Sequence, residues 1–295
     1  MKRRGNFNVF SAHAWYVPGV GGMFVLLLLL LAGALIGNVL TLAFTAITGP
    51  GLAGEYAMLV SYPVMFLPSM LYASVKSRNA SMDTEGYALD SSHFAPVGGW
   101  ICAALVMLGT FAAAFATDAL NAAMPPMPDW LRSMLENMTG GVLWVDFLLV
   151  SIMAPLFEEW LCRALVLRGL LNSGKVKPVW AIVLSALFFA VIHMNPWQAI
   201  PAFILGCLFG YVYYRTGSLR LTMLMHFTNN TMALLAGQIW PEAETWKDIL
   251  GGMYWPFFVL ALVVLALVVL AFGRIKTQSP SGNCDPVASV FSAGI

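Results

Sequence analysis

Apolar residues run along this chain in long blocks separated by short polar stretches. The blocks cover about 20–47, 56–75, 98–117, 144–170, 179–194, 199–214, 221–239 and 253–272. Most approach the roughly 20 residues that a helix needs to cross a bilayer. They are too long for buried strands and lack a strand's two-residue alternation. The pattern predicts an all-α fold, a polytopic transmembrane helical bundle of about eight spans. The first block follows a basic head, MKRR. It is longer than the roughly 7–15-residue apolar core of a signal peptide, and further spans follow it, so it reads as a retained helix. Pro63 and Pro68 fall inside the second block, where a membrane helix tolerates them.

Between the third and fourth blocks, 118–141 is a longer connection. Its sequence PDWLRSMLENM predicts a short surface helix with Asp129 as N-cap and Trp130 dipping into the interface. The chain then divides into N-terminal helices and loops at 1–141, a core at 142–240, a last transmembrane helix within 241–276, and a Ser/Gly/Pro-containing tail at 277–295 that is expected to be disordered. No internal repeat is evident.

Composition supports the membrane reading. Of the 295 residues, 60% are hydrophobic and 10% charged, against about 25% charged in a soluble domain. A net charge of +1 gives a nucleic acid nothing to bind, so the expected surroundings are a lipid bilayer. Cys102, Cys162, Cys207 and Cys284 show no paired spacing, which argues against a disulfide frame or a zinc knuckle. With eight spans and the N-terminus inside, the inner segments hold twelve Lys and Arg residues and the outer ones two, Arg132 and Lys247. That bias places both termini in the cytoplasm.

One block breaks the apolar rule. Residues 154–169 read APLFEEWLCRALVLRG and place Glu158, Glu159 and Arg163 at membrane depth, where a charge costs about 2.5–3.5 kcal/mol or more. Glu159 and Arg163 are four apart and can neutralise each other on one helix face. Glu158 has Cys162 at that spacing and so no helical partner, and an unpaired intramembrane carboxylate points to function. Pro155, three residues earlier, is a candidate kink.

The other intramembrane polar groups gather at similar depth. At 1.5 Å per residue from the inner loops, Glu158 lies roughly 18 Å deep, His193 roughly 22 Å, His226 roughly 12 Å and Asn230 roughly 18 Å. Phe189 and His193 are four apart, as are His226 and Asn230, so each pair shares a face. His13 and His93 receive no role. A lone helical histidine is more often packing than chemistry, and Asn229 and Asn230 also suit interhelical bonding. The combination of a free carboxylate, two histidines and an amide nevertheless makes an acid–base set.

A carboxylate beside a histidine can deprotonate water, and shielding from bulk solvent makes it a better base. A second histidine with an amide can hold an oxyanion. No Ser or Cys nucleophile stands beside a base, so the set suits water attack on an amide, the work of an intramembrane peptidase. Zinc is the competing version: Glu158, His193, His226 and Asn230 are all possible ligands, although the HExxH signature is missing. A proton-coupled transporter with Glu158 as carrier is a further reading, weakened by the absence of inverted repeats.

Three short motifs extend this. EEWLCR at 158–163 fits EExxxR, FAVIH at 189–193 fits FxxxH, and HFTNN at 226–230 fits HxxxN. In this order, with the APxxEExxxRxxxxxxL context and YYRTGSL at 213–219, they resemble the type II CAAX prenyl endopeptidases, also called the CAAX protease and bacteriocin-processing family. The resemblance covers about 142–237, roughly a third of the chain. It implies a glutamate-dependent or metallo-endopeptidase acting on a peptide or protein substrate, with a cavity open to the cytoplasm. It further implies that Glu158 and His193 activate water, that His226 and Asn230 form the oxyanion site, and that Glu159 and Arg163 hold the site together. No cofactor is required under the glutamate mechanism. Cys162 departs from the family, where Phe or Tyr is common. Some members act in bacteriocin maturation or immunity, which keeps a non-catalytic scaffold or immunity protein as the alternative function.

Overall fold

A computed structural model describes residues 16, 18–79, 90, 91, 94–139, 141–243 and 245–277. His13, His93, Cys284 and the tail from 278 onward lie outside the described residues. The chain is a helical bundle. Helix α1 (Val20–Thr48) ends at Gly49, whose φ of 84° lets the backbone reverse. Helix α2 (Pro50–Asn79) then runs back against it, with Pro63 and Pro68 inside. The two pack at backbone contact: a Cβ on Gly33 would collide with the Met65 carbonyl, and one on Gly37 would come within 2.8 Å of the Ser61 carbonyl. Small residues four apart allow this approach between membrane helices.

Helix α3 (Gly99–Asn121) follows, then the short surface helix α4 (Asp129–Thr139). Asp129 is the first residue of α4 rather than the residue before it. There its carboxylate still complements the positive helix end. Residues 143–172 form one run of alternating character: α5 (Leu143–Asp146), a π segment (Phe147–Met153), α6 (Ala154–Glu159), a second π segment (Trp160–Leu167) and α7 (Arg168–Asn172). The expected disturbance near Pro155 thus takes the form of widened turns on both sides of Glu158 and Glu159. Helices α8 (Pro178–Ile192), α9 (Pro196–Thr216), α10 (Leu219–Ile239), α11 (Trp246–Leu250) and α12 (Tyr254–Arg274) complete the bundle.

Five of the described helices are long and apolar enough to cross a membrane: 20–48, 50–77, 99–121, 196–216 and 246–274. Helix α8, at 15 residues, is about 22 Å long, shorter than a hydrocarbon core of about 30 Å. It ends one residue before His193, which caps it. The Asn195 side chain then accepts a bond from the Gln198 N–H and starts α9.

The second π segment is the centre of the bundle. All eight of its residues are fully buried, packed with Leu26 and Leu30 of α1, Phe66 of α2, and Phe188 and Phe189 of α8. A second core joins α3, α9, α10 and α12 through Val106, Phe209, Met225 and Phe272. Large apolar side chains such as Leu35 and Leu42 on α1 and Leu267 and Leu270 on α12 point outward, as lipid-facing residues do. Phe94–Ala95 pairs antiparallel with Lys276–Thr277, so the chain just after α12 is fastened to the loop before α3. That loop is also held by Asp90, 2.6 Å from Arg220.

Candidate active site

The π segments explain how the polar residues are presented. In the first, the Ala154 N–H bonds to the Leu149 carbonyl, five residues back. The Val150 carbonyl thereby loses its helical donor at 154, and the residue five ahead is Pro155, which has no N–H. Asn230 of α10 fills the gap, its Nδ2 donating to the Val150 oxygen at 2.9 Å. A second amide donates to Asn230, from Asn229 Nδ2 to Asn230 Oδ1 at 3.0 Å. Asn230 thus ties α10 to the glutamate-bearing run, and π segments of this kind gather at functional sites.

Glu159 and Arg163 form the ion pair that their spacing indicates, at 3.1 Å and with both side chains fully buried. Arg163 also donates to the Gly206 carbonyl at 3.2 Å. Its guanidinium lies over the rings of Phe189, 4.5 Å from the centroid, and Phe209, at 5.4 Å. Such stacking and a fixed fork of donors suit arginine to a buried pair.

The same Glu159 oxygen, Oε1, lies 3.0 Å from His226 Nδ1. An ionised carboxylate only accepts, so Nδ1 carries the hydrogen, and the lone pair of neutral His226 is on Nε2. Nε2 faces Glu158 Oε2 at 4.0 Å. The ring is held at its edges by Phe189, 5.5 Å away, and Phe209, 6.0 Å away. An imidazole facing Glu158 is thus that of His226, a pairing that the sequence did not indicate; the family resemblance implied His193 in that role.

Glu158 is 13% exposed. Its Oε1 accepts from the Tyr62 hydroxyl of α2 at 2.5 Å, while its buried Oε2 has no hydrogen-bond partner among the described residues. The Tyr62 ring packs with Phe66 and Phe157, which are stacked 5.1 Å apart. His193 sits nearby, its ring edge-on to Phe189 at 5.0 Å. Its Nδ1 is 2.8 Å from the Phe189 carbonyl, so Nδ1 donates and Nε2 is left as an acceptor. Cys162 is buried between these groups and contributes its carbonyl, which accepts from Ser185 at 2.8 Å.

The structure thus gathers Glu158, Glu159, Arg163 and His226 in one contact chain. Asn230 is held against the π turn, and His193 is joined to the cluster through Phe189.

Residues 140–232 match the family model Type II CAAX prenyl endopeptidase Rce1-like. This match supports a CAAX-protease-like segment. A 99-residue stretch, 32% of the chain, is 30% identical to Membrane-embedded CAAX protease MroQ of Staphylococcus aureus (strain USA300) and spans 40% of that relative. No solved structure matches. The family segment contains all six candidate residues and leaves out α1, α2 and α3.

Zinc needs about three protein ligands converging on one point. Among the described residues no three His, Cys, Asp or Glu side chains gather in that way. The Nδ1 atoms of His226 and His193 are turned to Glu159 and to the Phe189 carbonyl, which leaves Nε2 of each ring as the nitrogen that could take a ligand.

Proposed function

We propose that this chain is an intramembrane endopeptidase in which Glu158 and His226 together activate a water molecule. The observation that carries this reading is the unpartnered Glu158 Oε2 facing His226 Nε2 across 4.0 Å. Two hydrogen bonds of about 2.8 Å meeting at one water oxygen span such a gap at an angle near 90°. Both acceptors would then hold the water by its hydrogens, leaving an oxygen lone pair free for a carbonyl carbon.

In the step we assign, the water oxygen bonds to the peptide carbonyl carbon as Glu158 Oε2 takes one of its protons. Glu159 keeps His226 in the tautomer that accepts the other hydrogen, and Arg163 balances the charge of Glu159. The oxyanion takes a hydrogen bond from the amide hydrogen of Asn230 that is not given to Val150. His193 Nε2 offers an acceptor for a substrate amide hydrogen. Glu158 then returns its proton to the leaving nitrogen, the C–N bond breaks, and a carboxylic acid, which keeps the second water hydrogen, and an amine result; that hydrogen then passes to the amine to give a carboxylate and an ammonium. The role is general acid–base catalysis, which contributes on the order of 100- to 10,000-fold.

The substrate class is a peptide or a membrane-anchored protein, and the positive-inside distribution supports access from the cytoplasm. Purified protein in detergent, offered a panel of prenylated and unmodified peptides, tests this reading. Wild type should cleave at least one peptide, and Glu158→Ala and His226→Ala should not. Retained function in Glu158→Ala would instead favour a scaffold.

A further inference from the structure

The hydroxyl that holds Glu158 comes from outside the family segment. Tyr62 lies on α2, 96 positions earlier in the chain, and its 2.5 Å bond to Oε1 is the one hydrogen bond to the Glu158 carboxylate described. A hydroxyl given to a carboxylate at this distance is a charge-assisted bond, among the stronger kinds. Because it engages Oε1, the carboxylate plane is set and Oε2 is left toward His226.

Tyr62 is itself held on three sides. The carbonyls of Ser61 and Met65, which flank it, are the points where α2 meets Gly37 and Gly33 of α1. No side chain intervenes there, so α1 fixes how closely α2 approaches the glutamate-bearing run. The Tyr62 ring lies 5.4 Å from Phe66 and 6.5 Å from Phe157, the neighbour of Glu158. A phenol locked at both ring and hydroxyl is built to fix one rotamer of its acceptor.

We infer that Tyr62 is a positioning residue for Glu158, so that the site is incomplete without the α1–α2 hairpin. This rests on the reading of Glu158 as the base. It also assigns a part in the site to a region outside the family match.

The experiment is infrared spectroscopy of the full-length protein in detergent, which needs no substrate. The carboxylate stretching band of Glu158 is identified by its loss in Glu158→Gln. In Tyr62→Phe, which removes one oxygen atom and keeps the ring, that band should shift while the thermal unfolding midpoint stays near the wild-type value. On any peptide cleaved by wild type, kcat should fall roughly tenfold or more with little change in KM, as expected for loss of a hydrogen bond to a charged group. An unshifted Glu158 band in Tyr62→Phe overturns the inference. If Tyr62→Phe does not fold, 3-fluorotyrosine at position 62 provides the second probe. Its more acidic hydroxyl should move the band in the direction of a stronger bond, and an unmoved band again overturns the inference. A shifted band together with full cleavage by Glu158→Gln would leave the contact standing and remove the reading of Glu158 as the base, so the two failures are distinguishable.

Discussion

Nδ1 of His226 and Oε1 of Glu159 lie 3.0 Å apart, and that same oxygen lies 3.1 Å from Arg163. One carboxylate thus fixes the histidine tautomer and neutralises a fully buried guanidinium. Glu159→Ala would strand Arg163 without a counter-charge and free the imidazole. The expected cost is about 3–5 kcal/mol, the usual penalty for breaking a buried pair. Thermal or denaturant unfolding in detergent reads it, and a variant as stable as wild type would contradict the pairing.

Arg163→Lys keeps the charge but loses the planar stack over Phe189 and Phe209 and the fork that also reaches Gly206. An ammonium cannot reproduce both. A loss of about 1–2 kcal/mol is expected from the missing stacking alone, together with lower cleavage as Glu159 and then His226 shift. Unfolding midpoints and peptide cleavage rates check the two parts separately.

Asn230→Ala removes the donor to the Val150 carbonyl, whose backbone partners the π turn and Pro155 have already taken away. An unmet carbonyl costs about 1–3 kcal/mol. The same change removes the proposed oxyanion donor, a loss of on the order of 100-fold in kcat. The expected outcome is a modest stability loss with a large kcat loss, measured by unfolding and by steady-state kinetics.

Gly33→Ala would drive a methyl group into the Met65 carbonyl. Helix backbone cannot give way as a side-chain tip can, so α1 and α2 must separate, at a cost of about 1–3 kcal/mol. Cleavage should fall with stability because Tyr62 is carried on α2. Gly54, where nothing lies within 4 Å of an added Cβ, supplies the control: Gly54→Ala should leave both unchanged.

Because the donors named for zinc do not converge among the described residues, cleavage should be unaffected by a zinc chelator. Activity lost to a chelator and restored by zinc would contradict this and assign the free Nε2 atoms of the two histidines to the metal, their Nδ1 atoms staying on Glu159 and the Phe189 carbonyl.

Much of this was legible in the sequence because bilayer depth makes apolar length informative and charge expensive. Glu159 and Arg163 could be paired from their spacing, and the helices fall close to their apolar blocks. The π turns were not legible. Pro155 signalled a disturbance, but a kink and a widened turn follow from the same missing N–H, and the outcome depends on Asn230 reaching across from α10. Depth along the helices grouped His193 with Glu158, and the family resemblance gave it the water-activating role; that α8 stops at Ile192 and that the ring turns its Nδ1 to the Phe189 carbonyl were not legible. Tyr62 carried no signal at all: it is one of nine tyrosines, and only the close approach of α1 and α2 brings it to the carboxylate. The pairing of Phe94–Ala95 with Lys276–Thr277 was equally hidden, since a two-residue bridge has no periodicity.

The most direct test of water activation by Glu158 is a cleavage time course on a peptide that wild type hydrolyses, compared with Glu158→Gln. Glutamine keeps the size and the acceptor for Tyr62 but cannot take a proton, and unfolding midpoints verify that both proteins are folded. The predicted result is a fall in kcat of about 100-fold or more. Cleavage by Glu158→Gln at the wild-type rate, or no cleavage of any peptide by wild type, would contradict it.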